Sequence, residues 1–120
     1  MSQAILEKIS SEIRQCIDDC TDCHRVCVET ISYCTEMGGK HANADHLRLL
    51  RDCAEICQTG ANFMSRGSNL HNRVCAVCAE ICELCAKECD KFKDDDKMRI
   101  CAEVCRRCAE SCRSMAGAIR

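Results

Sequence analysis

Proline and tryptophan are both absent from the 120 residues, and Phe63, Phe92 and Tyr33 are the only phenyl rings. Without proline, every break between elements must come from Gly, Asn or Asp, and there are only five glycines. With few aromatics, and with Leu, Ile and Val also sparse, an ordinary apolar core would be thin. No run approaches the ~20 apolar residues of a membrane span. The first residues, MSQAILEKISSEIRQC, contain no apolar signal segment, twin arginine or small-residue cleavage site, so the expected compartment is the cytoplasm. The net charge is −2 with acids and bases mixed throughout, which leaves no basic stripe for nucleic acid.

What the chain has instead is cysteine, sixteen in all. Cys16, Cys20, Cys23 and Cys27 form one run, with Cys34 a heptad beyond. Cys53 and Cys57 form a second. Cys75, Cys78, Cys82, Cys85 and Cys89 form a third, and Cys101, Cys105, Cys108 and Cys112 a fourth. Steps of three and four residues trace the inner stripe of an α-helix. The positions that would hold an apolar core therefore hold thiols, and a free cysteine packs like a small hydrophobe.

The punctuation divides the chain into four helices. Gly38-Gly39 ends the first, Asn43 and Asp45 precede the second, Gly67-Ser68-Asn69 separates the second from the third, and Lys91 to Asp96 separates the third from the fourth. The expected spans are 3–37, 45–65, 70–91 and 96–117, with ends uncertain by about 2–4 residues. In the first helix the stripe runs from Leu6, Ile9 and Ile13 through the cysteines and Thr30 to Met37. In the second it runs His46, Leu50, Cys53, Cys57, Gly60, Met64. His71 and Phe92 bracket the third, and Met98, Met115 and Ile119 bracket the fourth. Short connections make neighbours antiparallel, so the expected fold is all-α: an up-down-up-down four-helix bundle with a Cys-lined core, in one domain over residues 1–120. The Asp94-Asp95-Asp96 run reads as a solvated helix start, and His24 as a surface residue.

Four chemistries compete for the thiols. Disulfides between residues three or four apart on a helix would be strained, and a reducing cytoplasm disfavours them. Iron–sulfur clusters call for a wrapping loop that is missing. Zinc accepts CxxC pairs, but each isolated four-thiolate zinc site carries 2−, and several of them would bury several charges. A monovalent soft ion matched one to one with thiolate leaves the core neutral. Cu(I) fits, because it prefers thiolate and tolerates two or three ligands; on the order of one ion per thiol would give about a dozen or more per chain. Binding would release protons. A row of equivalent ligands with no distinguished acid–base pair is unlike a catalytic metal site, so no enzyme is expected. A zinc or general heavy-metal buffer, a thiol-based redox protein and a plain structural bundle remain as alternatives.

The CxxxCxxCxxxC runs at Cys16 to Cys27 and Cys101 to Cys112, with the longer run at Cys75 to Cys89, resemble the four-helix-bundle copper storage proteins over nearly the whole chain. In the absence of an export signal, the resemblance is to their cytosolic branch. It implies Cu(I) held by all sixteen thiolates, storage or sequestration as the role, and a homotetramer. A copper chaperone or a copper-requiring enzyme would be the exchange partner. The second helix departs from the dense pattern, with only two cysteines. One bundle end gathers Met37, His41, His46, Phe92 and Met98 around Cys34, Cys89 and Cys101. The other gathers Leu6, Ile9, Ile13, Met64, His71, Met115 and Ile119. The first is expected to be the mouth, with His41, His46, Met37 and Met98 as weaker ligands passing ions inward. The second, more apolar, is expected to be a plug.

Overall fold

The computed structural model describes the backbone of residues 3–117 and the side chains of residues 11–117. Helix α1 spans Gln3–Met37, α2 Ala44–Ser65, α3 His71–Cys89 and α4 Asp96–Gly117; one 3-10 turn, Gly39–Ala42, joins α1 to α2. Among the described residues there is no strand, and no helix is long and apolar enough to cross a membrane. The side chains of Leu6 and Ile9, and Ile119 altogether, lie outside the described residues.

Local chemistry explains where each helix starts and stops. Gly38 and Gly39 adopt φ of 69° and 55°, a region that glycine enters without strain, and so turn the chain out of α1. Asn43 caps α2, its side-chain oxygen accepting from the backbone N–H of Asp45 at 3.0 Å and of His46 at 3.4 Å. Gly67, with φ 68°, ends α2, and Ser68 Oγ accepts from the Leu70 N–H ahead of α3. Asp95 opens α4 by accepting from the Lys97 and Met98 N–H groups at 3.0 and 3.2 Å. The third helix ends at Cys89 rather than at 91, because Asp90 to Phe92 fold into a turn closed by a Phe92 N–H to Cys89 carbonyl bond.

Consecutive helices pack side by side and α4 closes back on α1, while the backbones of the diagonal pairs stay apart and meet only through side chains such as Cys57 and Cys108. The sulfur pairings give the direction. Cys16 meets Cys112 while Cys27 meets Cys105, and Cys57 meets Cys78 while Cys53 meets Cys82, so neighbours run antiparallel. The result is an up-down-up-down bundle around one cysteine column.

A second stripe sets how closely the helices come. Ala54 and Ala61 on α2, Ala79 and Ala86 on α3, and Ala102 and Ala109 on α4 are buried at heptad spacing, five of the six directly after a cysteine. Small residues at a seam let helix axes approach, and a narrow bundle is one that thiols can fill. Val26, Ile56, Ile81 and Val104 pack against the core from outside it. Gly60 continues the inner stripe of α2, where a Cβ would meet Cys20 Sγ at 3.8 Å and Val74 at 4.0 Å, ordinary contact distances. Gly60→Ala should therefore raise stability by about 0.5–1 kcal/mol, the usual gain for replacing a mid-helix glycine. Urea denaturation of the reduced protein checks it, and a loss of stability would mean that the close approach at Cys20 needs the bare backbone.

Candidate metal centre

All sixteen cysteines are free thiols, and none is more than 1% exposed. Their sulfurs form one connected column. Near one end Cys112 lies 3.4 Å from Cys20 and 3.8 Å from Cys16, and Cys108 lies 3.7 Å from Cys20. In the middle Cys57 touches Cys82, Cys78 and Cys108 at 3.5, 3.7 and 3.7 Å. Cys53 reaches Cys82 at 3.7 Å and Cys23 at 3.9 Å, and Cys105 joins Cys23 at 3.8 Å and Cys27 at 3.9 Å. Towards the other end Cys27, Cys85, Cys101 and Cys105 converge. A metal–thiolate bond of about 2.3 Å places the sulfurs of a regular tetrahedron about 3.8 Å apart. The column is therefore spaced for sulfurs to share an ion without rearrangement of the helices.

The sparse second helix still contributes at the centre. Cys53 touches sulfurs from all three other helices and Cys57 from two, α3 and α4. Burial opposes ionisation of every thiol in the column. At Cys34 burial, helped by Cys101 and Asp95, pushes the thiol up to about 11 from its ordinary 9.0. In the metal-free state Cys34 is therefore protonated near neutral pH, and an incoming ion must displace its proton.

The expected mouth is built differently from its reading in the sequence. His46 and Met98 are buried beside Cys34, with His46 Nε2 3.4 Å and Met98 Sδ 3.6 Å from its sulfur. Three donor types thus meet at one point. Burial lowers the His46 pKa, so the ring is neutral and offers a lone pair. Its Nδ1 has no hydrogen-bond partner and faces Glu88 Oε1 at 3.6 Å. Met37, by contrast, is 54% exposed: the inner stripe stops at Cys34 because the helix ends one turn later. His41 sits on the 3-10 turn, away from the thiols, with its Nε2 2.8 Å from Asp95 Oδ2. Phe92 lies between the two histidines, its ring centroid 4.4 Å from that of His41 and 4.9 Å from that of His46.

Two residues taken as surface features have structural roles. Asp95, inside the acidic run, accepts from Tyr33 and His41 while capping α4. The His24 ring nitrogen lies 2.7 Å from the Ala54 carbonyl and ties α1 to α2. At the far end Met64 Sδ lies 3.8 Å from Cys75 Sγ and Met115 is buried, so sulfur continues into the expected plug. Met64 was legible only as an inner-stripe residue; its pairing with Cys75 depends on the antiparallel register of α2 and α3.

With this geometry in view, comparison with known proteins identifies the lineage. The copper storage protein family matches residues 9–117. The chain belongs to that family. A protein of Nitrosospira multiformis, Nmul_A1745, is 50% identical, with 91% of this chain and 98% of that one covered and a TM-score of 0.85. A Cu(I)-bound copper storage protein, BsCsp3, is 40% identical over 88% of this chain and 98% of that one, with a TM-score of 0.82. A cytosolic copper storage protein of Streptomyces lividans, solved with five coppers, is 25% identical over 95% and 99%, with a TM-score of 0.84. The uncharacterized cysteine-rich protein YhjQ of Bacillus subtilis is 42% identical over 53 residues, and the match spans about half of that protein's length, 49%.

The raised thiol pKa carries a stability consequence. Below pH 9 Cys34 is protonated whether the chain is folded or not. Between 9 and about 11 the unfolded chain ionises first, so the metal-free bundle loses stability as pH rises through that window. The urea midpoint of reduced, metal-free protein should fall from about pH 8 to about pH 11, with a shallower fall in Cys34→Ser. A midpoint that held level or rose would contradict protonated core thiols.

Proposed function

We propose that this chain stores Cu(I) on the sixteen thiolates of its core, in a single storage domain that works in the cytosol. The observation that carries the reading is the column itself: sixteen free, buried thiols, eleven of them with sulfurs 3.4–4.0 Å from another. One Cu(I) per thiolate leaves that dry interior neutral, and a soft ion selects sulfur. The role is storage rather than catalysis, since sixteen near-equivalent ligands provide no dedicated base beside an open coordination position. The description of the Streptomyces relative as cytosolic supports the compartment. Exposed Val28, Val77, Leu84 and Ile100 on the outer faces support assembly into a homotetramer, with a copper chaperone or a copper-requiring enzyme exchanging ions.

Ions enter at the end where Cys34, His46 and Met98 meet. The imidazole and thioether hold Cu(I) less tightly than a pair of thiolates, so an ion captured there is drawn inward to Cys101, Cys85 and Cys27. Glu88, facing the second nitrogen of His46, favours the tautomer that leaves Nε2 free for metal. His41 and Asp95 form the outer rim, and Met37 takes no part.

Titration of reduced protein with Cu(I) against a competing chelator should give about a dozen or more equivalents per chain. Saturation near one or two would overturn the storage reading. His46→Ala and Met98→Leu should each slow Cu(I) uptake in stopped-flow mixing while total capacity stays within about two ions of the parent. Unchanged uptake in both variants would place the entrance elsewhere.

A further inference from the structure

Five of the sulfur quartets in the core are not independent. Cys20, Cys78, Cys108 and Cys112 form one, and Cys57, Cys78, Cys82 and Cys108 the next. They are followed by Cys23, Cys53, Cys57 and Cys82, then Cys23, Cys27, Cys53 and Cys105, then Cys27, Cys85, Cys101 and Cys105. Each shares two sulfurs with its successor, so the five make a ladder of tetrahedra joined along edges and built from twelve cysteines. Cys16, Cys34, Cys75 and Cys89 lie outside these five.

Two of the rungs are close to regular. In the fourth quartet five of the six edges measure 4.0, 3.9, 3.8, 3.9 and 4.0 Å. In the second, four edges measure 3.7, 3.5, 3.7 and 3.8 Å. A tetrahedral ion with metal–sulfur bonds of about 2.3 Å needs edges of about 3.8 Å, which is the geometry of a Zn²⁺ thiolate site.

We propose that the core has a second loading state: a string of five edge-sharing tetrahedral sites for a divalent ion of the Zn²⁺ type, separate from its Cu(I) filling. Charge is what isolated zinc sites get wrong. Four separate four-thiolate sites would consume all sixteen cysteines and bury eight negative charges. Sharing changes the outcome, because each bridging thiolate serves two ions. Five divalent ions set ten positive charges against the twelve thiolates of the ladder, leaving 2− for the whole column rather than for each site. The argument from charge against zinc holds for isolated sites and fails for this arrangement. Cu(I) remains the better match for complete filling, since a monovalent ion on every thiolate reaches neutrality.

The ladder makes an unequal prediction for single cysteines. Within the ladder of five, Cys82 belongs to two quartets and Cys85 to one. Reduced, metal-free protein titrated anaerobically with Zn²⁺ against a chromophoric chelator should bind about five ions. Cys82→Ser should lose about two of them and Cys85→Ser about one. Co²⁺ titrated into the same protein should give the intense visible bands of a tetrahedral thiolate site. Circular dichroism and Cu(I) capacity are measured on the same variants, so that loss of fold is separated from loss of sites. Saturation at four ions or fewer, equal losses in two folded variants, or the weak spectrum of octahedral Co²⁺ would each overturn the ladder. Those results leave the copper reading standing, which fails only if Cu(I) capacity is itself low.

Discussion

Neutrality of a dry interior is the constraint on which the rest of this protein depends. Sixteen sulfurs sit where solvent does not reach, and a buried thiolate without a partner charge is costly. The bundle has two ways to meet that demand. Metal-free, a thiol such as Cys34, whose ionisation burial opposes, stays protonated and packs as a small hydrophobe would. Loaded, the metal supplies the charge that the proton gave up. Proton release is thus built into loading, and the same burial that makes the thiols poor acids makes soft cations their natural replacement.

Everything around the column keeps it narrow. The alanine stripes on α2, α3 and α4 bring helix backbones close, so that short side chains can meet across the centre. A core of leucines would need wider spacing, and thiols at that spacing could not touch. The same narrowness puts each of the two cysteines on α2 within reach of sulfurs from two or more helices. Larger apolar residues are displaced to the flanks, where Val26, Ile56, Ile81 and Val104 seal the seams. Ion pairs such as Arg113 with Glu83 and Arg106 with Asp90 link α4 to α3 or to the turn beyond it at the exposed surface, where they contribute little to stability.

The parts legible in the sequence are those with a local period. The Cys stripe announced four helices and their inward faces, because a step of three or four residues needs no knowledge of the partner helix. Gly38-Gly39 and Asn43 marked helix ends for the same reason, as their chemistry acts within one turn. What stayed hidden depends on register between helices. Asp95 looked like one of three solvated acids until Tyr33 and His41, 62 and 54 residues away in sequence, were seen to converge on it. His24 looked exposed because its acceptor, the Ala54 carbonyl, lies on another helix. Met37 erred in the other direction. Periodicity carried the stripe one step past the last cysteine, to a final residue of α1 that is 54% exposed. The alanines fell between these cases: their heptad spacing was visible, but alanine alone does not say whether a face is a seam or a surface.

The two ends of the column show why a storage tube gains from being uneven. At one end sulfur continues into thioether, with Met64 against Cys75 and Met115 buried nearby. At the other, a neutral imidazole and a thioether bracket Cys34, and an acid, Glu88, faces the imidazole. A uniform column of thiolates would bind its first ion equally well anywhere and give no direction to filling. On the entry route proposed above, a mixed donor set at one end creates a gradient, because an ion gains affinity with each step toward the all-sulfur centre. Phe92, placed between His41 and His46, keeps the outer histidine apart from the inner one. The rim therefore meets solvent through His41 and Asp95, while the ligand set behind Phe92 stays dry. Direction of filling then follows from donor chemistry and burial alone, without a moving part.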